Sequence, residues 1–344
     1  MAEVSAYYKD LLRIFDFDLP WEKLSGCNIL VTGATGLIGG CFVEALMMNP
    51  TRDYCVYASG RNEERLNRRF SLFLDTPGFH LLPYDVIMPL DSQVQFDYIV
   101  HAASNASPAA FANTPVEVMK SNLYGVCNLM DYGINNGMKR FLFISSGEVY
   151  GEGDGRVFTE EYSGFVNSNS PRSCYPSSKR AAETLCASYR TEYGVDVLIA
   201  RPCHTFGPFF TESDNRVFAQ FIRNILQDQN IVLKSSGEQL RSWCYVVDCV
   251  SGLLHVLLKG DSGEAYNIAD PQSNVSIKEL ASIVASIGNK KVIVSCPNQG
   301  ERMSFNPVTK SVFSIEKIKS LGWIPKTSLK KSIKHTISTL QGSF

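Results

Sequence analysis

The chain has almost no net charge and no long apolar run. Its 33 lysines and arginines balance 34 aspartates and glutamates, for a net charge of −1. No basic excess points to nucleic acid, and no charge run is long enough to form a tail. Local basic pockets for phosphates stay open. No apolar stretch approaches the ~20 residues that span a bilayer, so no membrane contact is expected. The N-terminus, Met1-Ala2-Glu3-Val4-Ser5-Ala6-Tyr7-Tyr8-Lys9-Asp10, lacks the charged start and apolar core of a secretory leader. The ten cysteines form no Cys-x-x-Cys pair and no even ladder. Cys27, Cys41, Cys55, Cys186 and Cys203 stand among apolar residues and are expected to be small buried hydrophobes in a reducing cytoplasm. None of the five histidines is spaced with a cysteine or acid for ligation, so no metal site is expected. Low-complexity stretches and internal repeats are also missing.

What is present is a globular chain of 344 residues, 44% hydrophobic, enough for one large domain or two closely packed ones. After a helical lead-in over 1–26, short apolar strands alternate with helices. Strands are predicted over 28–32, 53–59, 79–84, 98–101, 140–145 and 195–201. Helices are predicted over 37–48, 63–73, 116–136 and 178–193. This alternation argues for an α/β fold with a doubly wound parallel sheet covered on both faces. After Pro202 the rhythm loosens. Helices are expected over 217–227, 245–258, 277–287, 314–321 and 329–340, with a short strand over 231–233 and a return to the sheet near 240–270.

Two motifs carry the chemistry. Gly33-Ala34-Thr35-Gly36-Leu37-Ile38-Gly39 lies between the first strand and the first long helix. Glycines in that place permit a tight turn, close approach of backbone to a pyrophosphate, and close packing of helix on sheet. Amides at the helix start then face the phosphates. The alternative is an ordinary glycine-rich turn. An acid ~20 residues past such a loop takes the ribose hydroxyls of NAD. Here that place holds Gly60, then Arg61 and Asn62. No carboxylate repels a 2′-phosphate, and Arg61 can pair with one, so NADP is favoured over NAD. Otherwise Arg61 is a solvated helix-start residue. Asp85 and Val86 are placed for the adenine, and Ala102, Ala103 and Ser104 for the pyrophosphate and nicotinamide ribose.

The second motif is Tyr175-Pro176-Ser177-Ser178-Lys179. Residues at i and i+4 share a helix face. A free phenol has a pKa of about 10, and a nearby ammonium favours its ionised form. Tyr175 is then a base for a hydroxyl proton while a hydride leaves the same carbon for a nicotinamide. Lys179 can also hold the nicotinamide ribose. This spacing often arises by chance, but Ser145-Ser146-Gly147-Glu148 ends the strand before it. A strand C-terminus is where ligands sit in such sheets. Ser146 can bond the reacting hydroxyl, and Glu148 brings an acid or base.

Together these motifs resemble the extended short-chain dehydrogenase/reductase family, in its nucleotide-sugar epimerase and dehydratase branch. The resemblance covers roughly residues 27–330. It includes His101-Ala102-Ala103-Ser104, Lys120-Ser121-Asn122, Arg201-Pro202, Thr205-Phe206-Gly207-Pro208, Arg241 with Tyr245-Val246-Val247-Asp248, and Leu321-Gly322-Trp323. It implies a Rossmann-type domain over 1–203, with the return near 240–270, and a smaller interleaved α/β domain over 204–344 that binds a nucleoside-diphosphate sugar. It implies cofactor contact for Asn122, phosphate contact for Arg241, and a homodimer in which the helices over 116–136 and 178–193 pair with their copies. Val126, Leu129, Met130 and Ile134 are then expected to be incompletely covered within one subunit.

Within the branch, Ser104-Asn105-Ala106-Ser107-Pro108 and the surroundings of Tyr175 are similar to the UDP-glucuronate decarboxylases. That similarity places Ser107, Arg172, Arg216 and His204 at the substrate. It also exposes departures. Ser146-Gly147-Glu148 stands where those enzymes carry Thr-Ser-Glu and dehydratases Thr-Asp-Glu. His204 replaces an asparagine, as a pocket or a core histidine. Three readings remain: C4 oxidation with decarboxylation or epimerisation, net NADPH-dependent reduction of a 4-keto sugar, and a non-catalytic NADP-binding protein.

Overall fold

The computed structural model describes residues 5–212, 214–295 and 308–342. Seven strands form its main sheet: β1 Asn28–Thr32, β2 Cys55–Gly60, β3 Phe79–Pro83, β4 Tyr98–His101, β5 Arg140–Ile144, β6 Val197–Pro202 and, much later, Ala265–Ile268. In space the order is Ala265–Ile268, β6, β5, β4, β1, β2, β3, and every pairing is parallel. Successive side chains of β1 point to opposite faces, as a pleated strand requires. Ile29 and Val31 enter one core layer with Phe42 and Leu46, and Leu30 enters the other with Ile99, Phe141 and Phe143.

Helices cover both faces. Helix α1 is Ala6–Leu12, α2 Leu37–Met47, α3 Glu63–Arg69, α4 Pro108–Asn113, α5 Pro115–Asn135 and α6 Cys174–Tyr193. The layer beneath α5 and α6 includes Val126, Leu129, Met130, Ala182 and Cys186, all fully buried. This corrects the expectation that Val126, Leu129 and Met130 stay uncovered: the sheet covers them, and only Ile134 is partly buried. The exposed apolar residues of α5 are instead Val116, Met119 and Tyr124. Cys55 is also half buried rather than enclosed.

Two helices differ from expectation at their starts. Helix α6 begins at Cys174, four residues before the predicted start. Pro176 lies in its first turn, where a missing N–H costs nothing. Helix α4 was not anticipated. Its Ser107 cap and Pro108 at the first helical position are a start signal in a segment that otherwise reads as loop.

The later chain builds a second layer. Strand β7 is His204–Phe206, β8 Ile231–Leu233, β9 Leu240–Tyr245, β10 Ala265–Ile268 (the outer strand of the main sheet), β11 Asp270–Ser276, β12 Val292–Val294 and β13 Lys310–Ser311. Strands β7, β9, β11 and β13 form a small sheet centred on β9, and β8 pairs with β12. Helix α7 is Val217–Leu226, α8 Val246–Lys259 and α9 Ile277–Ile287. Helix α8 is buried over nearly its whole length between α2 and the main sheet. The N-terminal lead-in pins these parts together. Glu44 of α2 is fully buried and accepts from Tyr7, Tyr8 and Arg69. The Arg69 guanidinium lies 4.3 Å from the centre of the Phe209 ring.

No helix of the described residues is long and apolar enough to cross a membrane. Among them, no three His, Cys, Asp or Glu side chains gather to hold a metal ion.

Candidate active site

The chain reverses direction across the sheet between β1 and β4, and there the loops after the two strands meet. Gly33 has φ +68°, and a Cβ on it would stand 2.6 Å from the Ala103 nitrogen and 2.7 Å from the Ala102 carbonyl. A Cβ on Gly39 would overlap the Gly33 carbonyl oxygen. Both positions therefore demand glycine, one for its conformation and both for closeness. Helix α2 starts at Gly36 with no side-chain cap, so its first amides stay open around Thr35, Leu37 and Ile38. Ser104, after β4, has a buried hydroxyl without a partner. A crevice at a switch point, lined by free helix-start amides, fits a dinucleotide pyrophosphate.

The remaining cofactor candidates are distributed unevenly. Arg61 and Asn62 are exposed beyond the end of β2, and the Asn62 side chain caps α3 through the Arg65 amide. Asp85 accepts from the Ile87 amide, and Val86 is buried with its carbonyl bonded by Asn128. Asn122 is fully enclosed. Its amide donates to the Val118 carbonyl and the Ser178 hydroxyl, and its own oxygen has no partner. Its visible work is to tie α5 to α6.

At the end of β5 the chain makes a tight turn over Gly147–Tyr150, and Ser146 caps it through the Glu148 amide at 3.2 Å. Tyr175 comes in from the first turn of α6 and is 6% exposed. Its ring stacks on Phe111 of α4, centroids 5.0 Å apart. Phe111 escaped the sequence reading, because α4 did. Burial pushes the Tyr175 phenol up to about 12. The Ser146 hydroxyl, Arg216 and Arg172 pull it back down, while Glu148 pushes it further up. Lys179 is enclosed below, with Nζ donating to the Ile144 carbonyl at 2.8 Å and lying 4.5 Å from the Phe143 ring centre. Its own pKa falls to about 7, because burial outweighs the attraction of Glu183. Burial thus opposes the charged form of both groups, against the help that an ammonium at Lys179 is expected to give the Tyr175 phenolate. Desolvation dominates both groups.

The basic side chains converge on the same place. Arg172 forks onto Glu148, 3.1 and 3.0 Å. Arg216 pairs with Asp214 at 2.6 Å. Arg241, on β9, is 4% exposed and, among the described residues, donates to the backbone carbonyls of Leu240 and Val308. Burial lowers its pKa to about 10 against the pull of Glu148. His204 packs on Trp243, centroids 5.3 Å apart, with Nδ1 unpartnered. Burial first, then Arg241 and Arg216, lower its pKa to about 3, so it is neutral. Ser107 lies apart from this cluster in role: its hydroxyl caps α4 and donates to Asn105.

Arg201, of the Arg201-Pro202 motif, and Glu183 of α6 brace the site. Arg201 forks onto Glu183 and bonds Tyr150, and Ser145 donates to Glu183.

The geometry agrees with comparisons to known proteins. UDP-glucuronic acid decarboxylase 6 of Arabidopsis thaliana is 35% identical over 313 residues, 90% of this chain and 87% of that protein. UDP-glucuronic acid decarboxylase 1 of Xenopus tropicalis is 33% identical over 90% of this chain and 71% of its own length. The UDP-glucose 4-epimerase of Thermotoga maritima, solved with UDP-glucose, superposes with a TM-score of 0.77 at 27% identity, covering 92% of this chain and 99% of that one. The UDP-glucuronic acid 4-epimerase of Bacillus cereus, solved with UDP-glucuronic acid and NAD, shares the fold with a TM-score of 0.77 at 22% identity, over 92% of this chain and 100% of that one. Residues 29–269 match the model of the NAD dependent epimerase/dehydratase family, and with the glycine crevice and the buried Tyr175 in place the chain belongs to that family of enzymes.

Proposed function

We propose that this enzyme oxidises a nucleoside-diphosphate sugar at C4 and, on UDP-glucuronate, uses the resulting ketone to release carbon dioxide. The observation that carries this reading is the setting of Tyr175: a buried phenol stacked on Phe111, whose ionisation is opposed first by burial and eased by the Ser146 hydroxyl, Arg216 and Arg172 around it. The relatives at 33–35% identity along 90% of the chain support the same substrate class.

Tyr175 takes the proton of the C4 hydroxyl, which Ser146 orients, as C4 loses its hydride. A nicotinamide dinucleotide held at the Gly33–Gly39 turn and by Lys179 would supply the hydride acceptor and, later, the hydride donor. Arg172 and Arg216 hold the sugar carboxylate, and an arginine fork matches its planar geometry. The C4 ketone is β to that carboxylate. The C5–C6 electron pair moves toward the ketone to leave the C4 enolate as carbon dioxide departs, and the enolate then takes a proton from solvent water at C5. Tyr175 gives its proton back to the C4 oxygen when the hydride returns. Arg241 and the small sheet around β9 form the seat for the nucleotide diphosphate, within the half of the chain over 204–344.

The cofactor preference we propose is NADP over NAD, supported by exposed Arg61 and the lack of a carboxylate at the end of β2. The same feature favours a second reading, an NADPH-dependent 4-ketoreductase. C4 epimerisation shares the first step. We also place the enzyme in the cytoplasm as a homodimer joined through α5 and α6.

Incubation of the purified chain with UDP-glucuronate, followed by mass spectrometry of the nucleotide product, tests the proposal. A UDP-pentose with carbon dioxide release is expected. An unchanged mass with inverted C4 means epimerase. No reaction with UDP-glucuronate, but consumption of NADPH with a 4-keto sugar, means ketoreductase.

A further inference from the structure

We propose that Phe313 is a positioning residue for the catalytic turn, filling the volume that a side chain at residue 147 would take. A Cβ built on Gly147 would overlap the Phe313 ring at Cζ and Cε1. Gly147 has no positive φ, so its conformation does not require glycine; the ring does. The ring cannot swing freely, because it is 3% exposed and meets Tyr150 and Phe158 edge-on at 5.5 and 5.7 Å. The backbone on both sides of it is also tied down. Phe158 donates to the Val312 carbonyl at 2.8 Å, and its own carbonyl accepts from Ser314 at 2.9 Å.

The same residue reaches the substrate half. The Phe313 amide donates to Ser242 Oγ at 3.1 Å, and Ser242 follows Arg241 on β9. Arg241 in turn donates to Val308, and β13 pairs with Leu240 and Arg241. One short stretch thus touches β9 by its backbone and the turn Gly147–Tyr150 by its ring. Ser146 and Glu148 flank the glycine on which that ring rests. Two consequences follow. With no side chain at residue 147, Glu148 is the one carboxylate of the turn Gly147–Tyr150. And the placement of Ser146 and Glu148 depends on a ring that packs on Gly147 from 166 positions along the chain. This inference rests on the C4-oxidation reading.

Five proteins carrying the whole chain test it: the parent, Gly147→Ser, Phe313→Ala, the double variant, and Phe313→Leu as the conservative control. We measure kcat, KM and the pH profile with UDP-glucuronate, and the melting temperature of each. Gly147→Ser should lower kcat by roughly 10- to 100-fold, as a displaced catalytic group does, with KM little changed. Phe313→Ala should lower kcat and move the acidic limb of the pH profile, and Phe313→Leu should restore much of both. The double variant should be more active and more stable than Gly147→Ser, which is the sign of direct coupling. Parent-like kcat and melting temperature in Gly147→Ser, or a parent-like pH profile in Phe313→Ala, would overturn the proposal. If the parent leaves UDP-glucuronate untouched, the functional reading has failed instead. The melting temperatures then decide alone: additive shifts in the double variant reject Phe313, and compensation supports it.

Discussion

Arg172 binds both carboxylate oxygens of Glu148, Nη1 to Oε2 at 3.1 Å and Nη2 to Oε1 at 3.0 Å. The two side chains are 43% and 30% exposed, so the pair is solvent-screened and opens at little cost. A substrate carboxylate arriving at Arg172 competes with Glu148 for the same fork. Glu148→Gln weakens the competitor and removes the acid. UDP-glucuronate should then bind as tightly or more tightly, while turnover falls by at least ~100-fold, the scale of general acid–base loss. Bound nicotinamide should still be reduced. Steady-state kinetics with absorbance of the cofactor check this, and unchanged kcat would remove Glu148 from the mechanism.

Tyr175→Phe keeps the ring stacked on Phe111 and deletes the proton acceptor. Turnover should drop by at least ~100-fold with nucleotide-sugar affinity nearly unchanged. Calorimetry beside kinetics separates the two. A variant that keeps most of its activity would show that another group takes the C4 hydroxyl proton.

Lys179 costs stability for the sake of the site. Its folded pKa is about 7, below the usual 10.5 for lysine, because burial disfavours the ammonium. The unfolded chain therefore binds more protons between those values, and stability from this group rises as pH climbs from about 7 toward 10.5. Lys179→Met removes the penalty. The variant should be inactive yet melt at a higher temperature than the parent at and below neutral pH. Its advantage should shrink as pH rises above 7. Equal melting curves across that range would mean that Lys179 is not desolvated.

If Arg61 pairs with a 2′-phosphate, NADP binds more tightly than NAD. Arg61→Ala should then narrow the gap by ~1.5–3 kcal/mol, typical of a charge-assisted hydrogen bond. Titration calorimetry with both nucleotides is the measurement. Tighter NAD binding by the unmodified protein would reverse the preference.

The assembly has its own test. Since Val126, Leu129 and Met130 are buried within one subunit, pairing through α5 falls to Val116, Met119 and Tyr124, the last 50% exposed. Sedimentation should show a dimer at micromolar concentration, and Tyr124→Asp should weaken it. A monomeric parent would refute the dimer.

Local pattern made the first half readable. Strands Asn28–Thr32 and Tyr98–His101 lie where the apolar periodicity put them, and helix Leu37–Met47 matches it to within one residue. Short buried strands and amphipathic helices bury their apolar residues in a way that sequence spacing records directly. The second half was harder. Strands β7 and β13 have only three and two residues and pair with β9 across long separations, and nothing local marks that partner. Helix α4 was missed because six residues are too few for a period, although Ser107 and Pro108 carried a start signal.

By itself the sequence determined the glycine turn, the helical spacing of Tyr175 and Lys179, and the alternation that yields a parallel sheet. Each is a short-range consequence of backbone freedom or side-chain period. Tertiary structure decided the electrostatics. Burial, which no window of sequence reports, moved Tyr175 up, Lys179 and His204 down, and enclosed Arg241 against the backbone carbonyls of Leu240 and Val308. It also decided why residue 147 is glycine. The reason is a phenylalanine ring delivered from the far end of the chain, and only the packed core brings the two into contact.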